Sequence, residues 1–244
     1  MSMFDLQGSV AIVTGASRGI GKALAEGLSH AGADVLGVAR RFESPGSFEQ
    51  LTGDVCSRDV IAKACRHVEK AAPGHLIVVN NAGVTYPASG AYPEENWRQT
   101  LETNLTAPFL WIEALIPLLK KTGSGSIINI TSIAAELAFP DNPSYIASKG
   151  GLKMLSKYYA RTLGPHGIRV NAIGPGYVAT DMTQKSYKDE ALHQARADQT
   201  FLKRWATAQD LVGTVVFLAG SASAYVTGQD IYVDGGWTAN GLIV

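Results

Sequence analysis

The 244-residue chain has only two cysteines, no excess of either charge and no apolar run long enough to cross a bilayer. Cys56 and Cys65 stand in neither Cys-x-x-Cys nor zinc spacing. So few thiols suit a reducing, cytoplasmic setting better than a disulfide framework, and both read as ordinary thiols. Lys plus Arg equals Asp plus Glu at 21 each, which leaves no global field to gather nucleic acid or an anionic membrane. The most apolar stretch, residues 109–119, contains Glu113 and Pro117 and is far too short for a span. The first eight residues carry neither the basic nor the apolar region of a secretion signal. The five histidines, His30, His67, His75, His166 and His193, are scattered without ligand spacing, so no metal site is expected. What remains is a small-molecule role.

Hydrophobic residues make up 46% of the chain, ample for a core. Short apolar runs at 10–13, 34–39, 76–79, 127–130, 168–173 and 230–233 alternate with helical patterns, without linker, repeat or low-complexity tract. That alternation predicts an α/β fold, one doubly wound parallel sheet in a single domain over 1–244. The first run leads straight into Thr14-Gly-Ala-Ser-Arg-Gly-Ile-Gly21 and a helix. In a strand–turn–helix context Gly15 permits the tight turn, Gly19 lets the backbone approach a pyrophosphate and Gly21 allows close helix packing.

The second run ends at Ala39-Arg40-Arg41. At this point in a dinucleotide fold an acid selects a free ribose 2'-hydroxyl and a base accepts a 2'-phosphate. Here Ala39 takes the acid's place, and Arg40 with Arg18 supplies two guanidinium groups for a phosphate, which predicts NADP(H). The thirteen residues from 41 to 53 contain Pro45, Gly46 and Gly53, too little for the usual crossover helix and strand. A loop and a short strand are expected there. Pro93-Glu-Glu95 should open a long, interrupted helix to about Lys121. Within it Pro108 frees the carbonyl of Asn104, which can then hold a water. Residues 182–205 are polar and weakly periodic, and the segment 177–205 reads as a lid over the substrate.

Ser132, Tyr145 and Lys149 stand out in the stretch 129–149. Asn142-Pro143 offers an N-cap and a first-turn proline, so Tyr145 and Lys149 fall four apart on one helix face. A nearby ammonium and a helix N-terminus should both lower the phenol pKa, making a proton donor and acceptor, while Ser132 holds the reacting oxygen.

With these residues in hand the chain resembles the short-chain dehydrogenase/reductase family over nearly its whole length. The resemblance rests on Thr14-Gly-x-x-x-Gly-x-Gly21, Asn80-Asn-Ala-Gly83, Asn104, Ser132, Tyr145-x-x-x-Lys149 and Pro175-Gly176 in order. It implies a seven-stranded Rossmann-type sheet and a tetrad. Tyr145 would be the acid in reduction, Ser132 would position the carbonyl, Lys149 would bind the nicotinamide ribose and Asn104 would hold a relay water. It also implies that the cofactor meets Gly15, Ser17, Arg18, Gly19, Ile20, Gly21 and Arg40, then Asp54 and Val55 at the adenine. Asn81, Ala82 and Gly83 would meet the adenosine ribose side, and Pro175, Gly176, Val178 and Thr180 the nicotinamide, besides Tyr145 and Lys149. A homotetramer is implied, paired through the helices at 93–121 and 144–163, the last strand and the apolar tail 235–244. The lid's hydrogen-bonding side chains favour a sugar, polyol or sugar acid. An acyl-carrier-protein or aryl ketone reductase and a non-catalytic NADPH sensor are the alternatives.

Overall fold

The computed structural model describes residues 2–240. Seven parallel strands, β1 (Ser9–Thr14), β2 (Asp34–Ala39), β3 (Glu49–Thr52), β4 (His75–Asn80), β5 (Gly125–Ile130), β6 (Ile168–Pro175) and β7 (Asp230–Val233), form one sheet in the order β3-β2-β1-β4-β5-β6-β7. β1 and β5 are buried at every position, which is why they read as unbroken apolar runs.

Alternate residues of each strand feed opposite faces. On one face Val10, Ile12, Val38 and Val78 pack with α2 (Arg58–Ala71), α4 (Ala107–Thr122) and α5 (Pro143–Leu163). On the other, Ala11, Val13, Ile77 and Val79 pack with α1 (Gly19–His30) and α8 (Val212–Ala219). The strand order reverses beside β1, and a crevice opens there at the carboxyl ends of β1 and β4.

As expected, no helix joins β2 to β3; the connection is a loop that lays Phe48 against Gly37. The long helix expected from 93 is two helices, α3 (Glu94–Leu101) and α4, joined by a π-helical turn over Glu102–Thr106. Ala107 N–H reaches the carbonyl of Glu102, five residues back, immediately before Pro108, which has no N–H to offer. Pro93 sits at the N-cap rather than inside the first turn. Asn142 also occupies its expected N-cap position, but its side chain does not cap α5; its Nδ2 donates to Thr85 Oγ1 at 2.6 Å. The stretch read as irregular after β6 contains α6 (Gln184–Lys188) and α7 (Glu190–Gln199), the latter capped by Asp189 Oδ1 accepting from Leu192 N–H.

Candidate active site

A cleft of about 1190 Å³ runs along the carboxyl ends of the strands. Of the catalytic and cofactor-binding residues expected from the sequence, all but Asn104 line it. At one end β1 turns into α1 through Gly15, whose φ is +69° and whose Cα-facing space is closed by Ala82 Cα, 2.9 Å from where a Cβ would stand. A Cβ on Gly21 would lie 2.2 Å from Gly15 O and 2.3 Å from Asn81 Nδ2. The turn is therefore pressed against the Asn81–Gly83 loop with room for hydrogen only. Thr14 Oγ1 ties the two together, accepting from Asn81 N–H (3.0 Å) and Ala82 N–H (3.1 Å). Asn81 Nδ2 donates to Thr14 O at 2.9 Å. Arg18 stands at the N-cap of α1 and makes no side-chain cap bond, so the first-turn N–H groups face the cleft. A glycine cradle at an open helix N-terminus fits the pyrophosphate of a dinucleotide.

Beyond β2, Ala39 is buried and Arg40 and Arg41 are exposed at the cleft rim, so the place of a ribose-binding acid holds a methyl group. Arg18 is less free than its sequence position implies: its Nη1 lies 2.9 Å from Asp181 Oδ2, across the cleft mouth, in an exposed pair.

At the other end, α5 carries Tyr145 and Lys149 under the carboxyl end of β5, opposite Ser132. A buried polar chain sets the helix in place. Asn80 Nδ2 donates to Asn129 Oδ1, Asn129 Nδ2 to Ser156 Oγ, and Ser156 Oγ to Leu152 O, each at 2.8 Å. Lys149 is 4% exposed; its Nζ donates to Ile130 O at 2.8 Å and lies 5.6 Å from the centre of the Tyr145 ring. Burial draws the Lys149 pKa down to about 8. The Tyr145 phenol moves up, not down as expected from its neighbours. Burial is the main cause, the Ser132 hydroxyl opposes it and Tyr177 adds to it. Withdrawing the phenolate from water dominates, and one of the three Lys149 ammonium donors is taken by Ile130 O.

Asn104 is fully buried behind the cleft wall. Its Oδ1 accepts from Val84 N–H (2.8 Å), and its Nδ2 donates to Val84 O (2.9 Å) and Ser148 Oγ (3.2 Å). The side chain thus clamps the loop after β4 to α5. A Cβ on Gly83 would meet both Asn104 Oδ1 (3.4 Å) and Lys149 Nζ (3.7 Å), so the two groups share one neighbour.

The cleft also has walls that motif reading missed, Arg98, Gln99, Glu102 and Thr103 among them. They come from the end of α3 and the π turn; the signal was Pro108, which marked the turn without saying that it faces the cleft. Among the described residues no three His, Cys, Asp or Glu side chains gather as a metal site would, and no helix is long and apolar enough to cross a membrane.

Between the cleft residues Gly176 and Val178, Tyr177 belongs to an aromatic group. The ring centres of Tyr177 and Phe139 are 6.4 Å apart, those of Tyr177 and Trp205 5.2 Å, and those of Tyr177 and Trp237 5.0 Å. Tyr187 and His193 of the following helices pack on Trp205.

Residues 15–238 match the family model described as enoyl-(acyl carrier protein) reductase. Gluconate 5-dehydrogenase of Gluconobacter oxydans (strain 621H) is 36% identical over 98% of this chain and 98% of its own length. 2-Dehydro-3-deoxy-D-gluconate 5-dehydrogenase of Escherichia coli (strain K12) is 37% identical over 98% and 99%. The crystal structure of a gluconate 5-dehydrogenase from Burkholderia cenocepacia J2315, in complex with NADP and tartrate, superposes with a TM-score of 0.90 at 32% identity, covering 97% of this chain and 98% of that one. Together with the sheet order, those matches show that the chain belongs to the short-chain dehydrogenase/reductase family.

Proposed function

We propose that the protein is an NADP(H)-dependent oxidoreductase that interconverts a carbonyl and a secondary alcohol on a small polar substrate, a sugar acid by preference. The observation that carries this reading is the meeting of Tyr145, Lys149 and Ser132 at one end of a cleft whose other end is a phosphate cradle. The nicotinamide, when bound, supplies or accepts the hydride. In reduction Ser132 Oγ holds the substrate oxygen, and the Tyr145 phenol gives its proton to that oxygen as negative charge develops there. A phenol whose pKa is raised keeps its proton at neutral pH until the alkoxide forms. Lys149, in its charged form, binds the ribose and steadies the phenolate left behind; in oxidation the steps reverse. Asn104 holds the Val84 loop with its side chain, and its main-chain carbonyl in the π turn is the place for a relay water.

Gly15, Ser17, Gly19, Ile20 and Gly21 take the pyrophosphate, Asp54 and Val55 the adenine, Asn81 to Gly83 the adjoining ribose, and Pro175, Gly176, Val178 and Thr180 the nicotinamide. Arg18 and Arg40 take the 2'-phosphate, with Ala39 leaving no acid to repel it. The sugar-acid preference draws on the gluconate and deoxygluconate dehydrogenases among the relatives and on the tartrate and NADP held by the Burkholderia structure. Within one domain the segment 177–205 acts as the lid, and the enzyme works in the cytoplasm as a homotetramer. Phe109 on α4 and Met154 and Tyr158 on α5 are exposed, which supports pairing through those helices. Of the apolar tail also assigned to pairing, 241–244 lie outside the described residues.

The aromatic group around Tyr177 favours a second reading, an aryl ketone reductase. Consumption of NADPH with keto-aldonates, neutral ketoses, aryl ketones and 3-oxoacyl thioesters as substrates tests both. Highest kcat/KM on a keto-aldonate is expected; highest kcat/KM on aryl ketones or thioesters would replace the sugar-acid reading.

A further inference from the structure

Ser132 caps a short 3-10 turn, Ile133–Ala135, and its Oγ accepts from Ala134 N–H at 3.1 Å. That bond leaves the hydroxyl proton free to be donated to a substrate oxygen, so the turn sets the direction in which Ser132 can donate. A single 3-10 turn holds itself by poorer hydrogen bonds than an α-helix does, and its placement depends on what surrounds it. Here two lysines, one helical turn apart on α5, hold the segment on either side of Ser132. Lys149 Nζ donates to Ile130 O, before the serine, at 2.8 Å. Lys153 Nζ donates to Glu136 Oε1, just beyond the turn. Positions four apart share one helix face, which is why both lysines reach the same segment.

The contact beyond the turn belongs to a larger group. Tyr232 of β7 donates its phenol hydrogen to the same Glu136 Oε1 at 3.0 Å. Asp230, also on β7, has its Oδ2 3.6 Å from Lys153 Nζ and 3.0 Å from Lys157 Nζ. Glu136 is thus tied to α5 and to β7 at once, while Lys153 lies between two carboxylates. The Lys153 hydrogen bond holds the Glu136 carboxyl below its usual range, so the contact is charged at neutral pH. Neither Glu136 nor Lys153 lines the cleft, so their influence on the chemistry runs through the turn that carries Ser132. We infer that Glu136 is a positioning residue: bound to Lys153 and Tyr232, it fixes the Ser132 turn against the helix that carries Tyr145 and Lys149. This rests on the reading of Ser132, Tyr145 and Lys149 as the reacting group. Glu136 is exposed, and an ion pair with an exposed partner contributes little to stability. Misplacing a group at the reacting centre by about 1 Å can cost about 10²-fold in rate, so the clamp should be felt in turnover rather than in melting.

The test uses 5-keto-D-gluconate, or whichever substrate of the panel above wild type reduces fastest, with NADPH affinity and melting temperature as controls. Glu136→Ala should lower kcat by about tenfold with NADPH affinity unchanged, and Glu136→Gln, whose carbonyl still accepts from Lys153 and Tyr232, should recover part of the loss. In a Ser132→Ala background Glu136→Ala should have no further effect, because the group it positions is gone. The same loss in both backgrounds, or wild-type kcat in Glu136→Ala, overturns the positioning role while the reading of the site stands. If Ser132→Ala keeps wild-type turnover, or wild type reduces nothing in the panel, that reading falls and the positioning role with it. Should Ser132→Ala be too slow to compare, or Glu136→Ala not fold, Lys153 decides, since Lys153→Met leaves Asp230 paired with Lys157. A kcat loss in Lys153→Met that Lys153→Arg recovers, at equal melting temperature, supports the clamp; no loss, or a loss that follows melting temperature, overturns it.

Discussion

The β1–α1 wall of the cleft is held by main chain, and the α6–α7 segment that follows the cleft residues Asp181–Thr183 is held by side chains. In the first, Gly15 and Gly21 stand where a single methyl would strike Ala82, Gly15 O or Asn81, and Thr14 and Asn81 lock the loop by four hydrogen bonds. In the second, Tyr187, His193, Arg196 and Trp205 pack through rings and a cation on two short helices whose outer faces are largely exposed. On the proposed function the first would accept the same phosphates whatever the substrate, so its tolerance is set by backbone geometry. The second would serve as the lid, and there side chains can be exchanged without disturbing the sheet.

The largest effect lies at the proton donor. Tyr145→Phe keeps the ring and removes only the hydroxyl, so NADPH affinity should hold while turnover drops by roughly 10²–10⁴-fold. Fluorescence titration and NADPH consumption measure the two separately. Turnover near that of wild type would remove Tyr145 from the chemistry.

Gly21→Ala strikes the main-chain wall. The added methyl meets a carbonyl and an amide that the Asn81 lock holds in place, and overpacking of this kind costs about 1–3 kcal/mol. Melting temperature and NADPH affinity should fall together. Gln194→Ala, on the lid, removes an exposed contact with Asp198 and should change stability by no more than about 0.5 kcal/mol. Equal losses in the two variants would erase the contrast between the two regions.

Lys149 sharpens the comparison by pH. Its folded pKa is about 8, whereas an unfolded lysine titrates near about 10.4. Between those values the unfolded chain holds more protons than the fold, so this group's cost is fully present below about pH 8 and is relieved as pH rises toward about 10. Cofactor-free Lys149→Met should therefore gain on wild type by up to about 3 kcal/mol at pH 7, with the gain shrinking at alkaline pH, although it loses turnover. Denaturant unfolding at pH 7 and pH 9.5 reads it; a gap that does not depend on pH would mean the buried amine stays charged.

These contrasts also govern what could be read from the chain alone. The parallel sheet and the glycine turn were legible because such a sheet buries whole runs such as 10–13 and 127–130, and because only glycine fits at 15 and 21. The Tyr145 and Lys149 pair was legible from helical spacing, but the direction of the Tyr145 shift was not, since burial cannot be read from a spacing. Asn104 was visible as a site residue while the work of its side chain was not: its bonds go to Val84, twenty residues away, through a π turn that local propensity does not announce. The helices at 184–199 were hidden by a polar sequence whose one buried residue on α7 is Ala197. Arg196 looked like any other lid cation until its rings were in place.

The most finely balanced effect concerns the proposed 2'-phosphate contact, at the pair that joins the glycine turn to the loop before α6. Arg40→Ala should cost NADPH about one to two decades of affinity, as loss of a charge-assisted contact does, and leave NADH nearly unchanged. Arg18 has a competitor. Its pair with Asp181 bridges the glycine turn and the loop that leads to α6, and both side chains are mostly exposed, at 65% and 58%. Such a pair is worth about 1 kcal/mol or less, so a doubly charged phosphate should take Arg18 from it at small cost. Asp181→Asn removes that cost. NADPH affinity should rise by up to about fivefold, the limit that 1 kcal/mol allows, and NADH affinity should not follow. The gain should also shrink in high salt, because screening already weakens the exposed pair in wild type. Fluorescence titration of both cofactors at low and high ionic strength decides it: equal gains for NADPH and NADH would show that Asp181 repels the pyrophosphate in general, and that Arg18 does not read the 2'-phosphate.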